Sequence, residues 1–98
     1  MARDRTKLGD AEVQGWLKAH AGWALEGGMI RRTFAIKDFR GSMDFVNRVA
    51  DAAEAADHHP DIDIRYSKVT LALVTHDAGG LTSRDTKLAE EADALART

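Results

Sequence analysis

Histidine is the one side chain whose ordinary titration range straddles neutrality, so a protein that must both give and take a proton in water is read first from its histidines. This chain has four, and three of them fall in two short stretches, Asp57-His58-His59-Pro60 and Thr75-His76-Asp77-Ala78. Three imidazoles, two at the exit of a helical pattern and one at the end of a strand pattern, fit proton-transfer chemistry. Glu54 stands four residues before His58, which on a continuous helix places both side chains on one face and lets the carboxylate support an imidazolium. Asp57 adds a second acid, and a helix C-terminus favours a cation there. Spacing alone does not tell His58 from His59 as the working acid. Plainer readings stand beside this one: His58-His59 as polar residues at a helix end, His76 as an exposed strand end, Glu54 as part of a wet helix face, Asp85 as a helix cap. A three-histidine zinc site with an open water position is a further arrangement, although adjacent histidines diverge and no other ligand is specified. His20 reads as a surface residue.

The elements that must position these groups follow from periodicity. Asp10 is a good N-cap, and Val13, Trp16 and Leu17 recur at helical spacing until Gly22, predicting a helix over 11–20. Residues 23–26 and 29–36 flank Gly27-Gly28, a two-residue connection suited to a tight hairpin. Arg32 interrupts the apolar face of Ile30, Phe34 and Ile36, as a residue does that snorkels at an edge or meets a partner subunit. Asp38 caps a helix expected over about 39–57, with Phe45, Val46, Val49, Ala53 and Ala56 on its apolar stripe. Pro60 turns the chain out of that helix. Ile62, Ile64 and Tyr66 then alternate with Asp61, Asp63 and Arg65, Ser67-Lys68 form a turn, and Val69, Leu71 and Leu73 resume opposite Thr70, Ala72, Val74 and His76. Thr82 and Asp85 resemble a capping box opening a last helix with Leu88, Ala92 and Leu95 inward. The order α-β-β-α-β-β-α predicts a single α+β domain over 10–98, behind a flexible arm over 1–9. Its four-stranded, mostly antiparallel sheet carries the helices on one face. Its open edges predict a homo-oligomer.

Composition narrows the function. With 98 residues, one core is all the chain can build. A net charge of -2 with both signs interspersed offers no footprint for nucleic acid or an anionic membrane. No cysteine is present, so disulfides and thiolate chemistry are excluded. No apolar run approaches the ~20 residues of a membrane span, and no secretory pattern follows Met1, which predicts a cytoplasmic protein. Gly79-Gly80 lacks the lysine of a phosphate loop, and neither Ser67 nor Ser83 sits in a nucleophile motif.

Taken together, Glu54, His58-His59-Pro60, Tyr66, His76 and Asp85 at their spacings resemble the signature of the pterin-4a-carbinolamine dehydratase family. Gly22-Trp23, the run from Phe34 to Phe39, Tyr66-Ser67-Lys68-Val69 and Gly80-Leu81-Thr82 before Arg84-Asp85 agree, so the similarity covers about 10–96. The resemblance implies dehydration of 4a-hydroxytetrahydrobiopterin to quinonoid dihydropterin after an aromatic amino acid hydroxylase has used its pterin, with neither metal nor organic cofactor. It implies His58, His59 and His76 as catalytic residues, with Glu54, Asp57 and Asp85 tuning them. The backbone at His58, His59 and Pro60 and at Thr75, His76, Asp77 and Ala78 would hold the flat ring of the substrate. The homo-oligomer expected from the open sheet edges is a homodimer or homotetramer. The family also includes animal members that bind a homeodomain transcription factor, so a non-catalytic dimerisation or assembly role is the alternative. The chain departs from the pattern at Ile62, where many members carry a tryptophan that would wall the pterin.

Overall fold

Residues 6–97 are described by a computed structural model. Helix α1 covers Asp10–Ala19, with Gly9 rather than Asp10 as its N-cap, because the Glu12 carboxylate accepts the Gly9 N–H at 3.0 Å. Strands β1 (Ala24–Glu26) and β2 (Met29–Ala35) form the expected hairpin. Both residues of its turn, Gly27 and Gly28, have positive φ, which a side chain would resist. Helix α2 (Phe39–Ala56) begins where Asp38 accepts the Gly41 N–H at 2.8 Å. Strands β3 (Asp61–Arg65) and β4 (Lys68–Leu73) follow, then a short 3-10 turn over His76–Ala78 and helix α3 (Ser83–Ala96). The Tyr66-Ser67 pair, not Ser67-Lys68, makes the second hairpin turn: Arg65 pairs with Lys68, and Tyr66 has φ 55°.

The strands lie in the order β1-β2-β4-β3, antiparallel throughout, so the fold is the α+β arrangement read from the sequence. Ile30, Phe34, Val69, Leu71 and Leu73 are buried toward the helices, meeting Phe45 and Val49 of α2 and Leu88, Ala89 and Ala92 of α3. Trp23, Phe34 and Phe45 run through this core with ring centroids 6.0 and 4.9 Å apart. Arg32 is engaged within its own chain. Its guanidinium lies 4.6 Å from the centre of the Phe34 ring and bonds Asp93 of α3 at 2.8 Å, where the Trp23 indole N–H also donates.

Alternation misjudges β3. Ile62 is 38% exposed although it shares a face with Leu71, because β3 is the outermost strand. His20 is half-buried, stacked on Trp16 at 4.3 Å, with Nδ1 2.8 Å from the Trp16 carbonyl oxygen. Of the arm expected over 1–9, residues 1–5 fall outside the described residues, while the Leu8 N–H bonds the Leu81 carbonyl at 2.8 Å.

Candidate active site

The exit of α2 decides which histidine goes where. Asp57 takes a left-handed conformation, φ 49° and ψ 45°, which ends the helix and lets the His58 N–H bond back to Ala53 at 3.1 Å. That one residue swings His58 inward and His59 outward. His58 is 6% exposed, and its Nε2 lies 2.6 Å from Asp85 Oδ1. Glu54 therefore does not pair with His58, because the helical spacing that would align them is broken at Asp57. The Glu54 carboxylate is bonded instead by Nε2 of His59, and both side chains are exposed.

His76 does not continue β4. The strand stops at Leu73, and the chain closes into a turn in which Thr75 and Gly80 exchange backbone bonds and the Ala78 N–H bonds the Thr75 carbonyl at 3.1 Å. His76 and Asp77 lie exposed on this turn, while Thr75 is buried beneath it.

Asp85 joins the two loops from inside. It is 0% exposed; Oδ1 takes His58, and Oδ2 accepts the Thr75 hydroxyl at 2.8 Å and the Thr82 N–H at 2.9 Å. The Thr82 hydroxyl lies 2.8 Å from that of Thr75, which completes the network. A carboxylate taken wholly out of water is tolerable only when its lone pairs are satisfied in this way. Asp85 thus acts both as helix cap and as the anchor of His58, a combination that its place in a capping box did not reveal.

Arg84 joins the same loops from outside; the sequence named it only within the stretch that matches the family and gave it no role. Its guanidinium donates to the Asp57 carbonyl at 2.9 Å and lies 3.5 Å from the Asp77 carboxylate, spanning the loop of His59 and the turn of His76. Its place beside Asp85 was the only signal. Among the described residues, no three His, Cys, Asp or Glu side chains form a group that could hold a metal ion. Chemically, the site offers two exposed imidazoles on two braced loops, one bonded to a carboxylate, above a buried histidine–carboxylate pair.

The pattern of the family described as Pterin 4 alpha carbinolamine dehydratase matches residues 6–95. A Roseiflexus protein (strain RS-1) bearing the provisional name pterin-4-alpha-carbinolamine dehydratase is 52% identical over 90 residues, covering 92% of this chain and 97% of that protein. A protein of the same provisional name from Koribacter versatilis is 57% identical over 82 residues, covering 84% and 87%. Among solved structures, the transcriptional coactivator/pterin dehydratase from Brucella melitensis superposes with a TM-score of 0.89 at 34% identity, over 93% of this chain and 99% of that one. A pterin dehydratase-like protein identified as a RuBisCO assembly factor in the alpha-carboxysome gives 0.67 at 25% identity, over 79% and 92%.

Proposed function

The chain belongs to the pterin-4a-carbinolamine dehydratase family, and from that premise we propose that it dehydrates 4a-hydroxytetrahydrobiopterin to quinonoid dihydropterin and water. The observation that carries this reading is the double brace of Asp85 and Arg84, which holds the loop of His59 and the turn of His76 on one side of the fold. In the reaction the C4a–O bond breaks as the departing hydroxyl takes a proton, and the N5–H bond yields its pair to form C4a=N5. One imidazole gives the first proton and the other removes the second, so the pair has exchanged protonation states when water leaves. One proton transfer resets it. Each well-placed acid or base contributes about 100- to 10,000-fold.

His59 and His76 are the rings assigned to this exchange, because they are exposed on the braced loops. Glu54 holds the His59 ring by Nε2 and leaves Nδ1 to face substrate. His58 is given the holding role: with Nε2 on Asp85, it fixes the loop that presents His59. The amides of His58, Thr75 and Ala78 are engaged within the fold, so contacts to the pterin fall to His59, Pro60, His76 and Asp77. Among the described residues no helix is long and apolar enough to cross a membrane; work in the cytoplasm, beside an aromatic amino acid hydroxylase, is part of the proposal.

Stopped-flow absorbance on chemically generated 4a-hydroxypterin tests the assignment. His59→Ala and His76→Ala should each slow dehydration at least about tenfold with an unchanged unfolding midpoint. The second reading is an assembly protein built on the same scaffold, favoured by large apolar side chains left in water, Phe39 and Tyr66 among them. Unchanged rates in both variants would favour it over catalysis.

A further inference from the structure

Leu25 directly opposes Ile30 across the β1–β2 hairpin, so both side chains lie on the face of the sheet that carries the helices. Ile30 is 1% exposed there and Leu25 44%. The difference is a cavity of about 470 Å³ between β1, α1 and the Gly79-Gly80 turn. Leu8, Val13, Leu25 and Leu81 make its apolar wall, and Lys7, Asp10 and Gln14 bring its polar side chains. We propose that this cavity binds a free α-amino acid with an apolar side chain, its carboxylate on Lys7, its ammonium on Asp10 and its side chain against Leu25.

The class of ligand follows from the charges. Lys7 and Asp10 are three residues apart, at most roughly 11 Å along the backbone, so two opposite charges border one apolar surface within the span of a small molecule. Among the described residues, neither side chain makes a hydrogen bond or an ion pair, and nor does that of Gln14. One cation beside one carboxylate selects by sign. A phosphate or a simple carboxylic acid satisfies Lys7 and is repelled by Asp10, an amine does the reverse, and a neutral sugar leaves the leucines in water. A zwitterion with an apolar side chain meets all three demands. The Gln14 amide suits it too, because it can donate to the carboxylate or accept from the ammonium.

The cavity is separate from the histidines, yet it touches the turn that carries one of them. None of His58, His59 and His76 lines it, whereas Gly79, Gly80 and Leu81 do. Lys7 lies so close to Gly80 that a Cβ there would fall 2.9 Å from the lysine Cε. The Leu8 N–H bonds the Leu81 carbonyl at 2.8 Å, so residues 7–8 run alongside 80–81. Gly80 in turn bridges Thr75, the residue before His76. An amino acid seated on Lys7 therefore rests on the far limb of the His76 turn and is registered at the amides of Gly79 and Gly80.

L-Leucine is the probe, titrated into the whole chain and followed by amide chemical shifts. Binding should saturate with a dissociation constant of about 1–10 mM, the range open to so small a ligand in an open cleft, with the largest shifts at Leu25, Gly79 and Gly80. Isocaproate lacks the ammonium, isoamylamine the carboxylate and glycine the side chain, so each should bind at least about fivefold more weakly. Lys7→Gln, Asp10→Asn and Leu25→Ser should each weaken leucine by a similar factor at an unchanged unfolding midpoint, about fivefold or more. His59→Ala should bind leucine as the parent does. No saturable shift below roughly 50 mM leucine, isocaproate binding as well as leucine, or shifts centred on His59 that vanish in His59→Ala would each overturn the proposal. A chain inactive on 4a-hydroxypterin that still binds leucine would sink the dehydratase reading and leave this site standing.

Discussion

Asp85 carries its cost of burial because three groups from three segments point at its carboxylate: the ring of His58, the hydroxyl of Thr75 and the amide of Thr82. Deleting that carboxylate strands all three. Asp85→Ala should lose about 3–5 kcal/mol of stability, and urea unfolding followed through the buried Trp23 would measure it. His58→Ala should destabilise by about 1–3 kcal/mol, because it leaves one carboxylate oxygen without its partner. His59→Ala, exposed beside Glu54, should stay within about 0.5 kcal/mol. Neighbouring histidines would then separate cleanly, one read by a denaturation curve and the other by a rate. Their presence and spacing were legible in the sequence. Which ring turned inward was not, because it depends on the positive φ of Asp57, and an aspartate in that conformation leaves no periodic trace.

At the scale of elements, periodicity and turn residues located the three α-helices and the four strands, and Asp38 marked the start of α2 correctly. It failed where burial depends on what lies beyond the element. Ile62 fits an inward alternation, but nothing in its own strand says that β3 is an edge. His76 likewise continues an alternating run, yet the Thr75–Gly80 bridge folds the chain into a turn before reaching it. The role of Arg84 was invisible for a related reason: it lies in two distant acceptors, a carbonyl at the α2 exit and a carboxylate on the His76 turn. Arg84→Ala should lower kcat at least about tenfold, because misplacing catalytic groups by about 1 Å can cost that much or more. Arg84→Lys should recover little, since an ammonium lacks the forked reach of a guanidinium. Stopped-flow rates of the two variants, taken beside their unfolding midpoints, check this.

For the whole molecule, one layer of helices on one antiparallel sheet puts the core and the candidate site in the same space rather than in separate lobes. The buried network around Asp85 touches the exit of α2, the end of β4 and the first turn of α3. No subset of those segments can loosen while the others keep their contacts. Enzymes whose working loops are held separately from the core often go silent on warming well before they melt. Loops tied to the Asp85 network have no such margin. Residual activity and near-ultraviolet ellipticity, followed along one heating ramp, should fall on a single curve. A gap of several degrees between them would mean that the loops are free to move while the carboxylate stays buried.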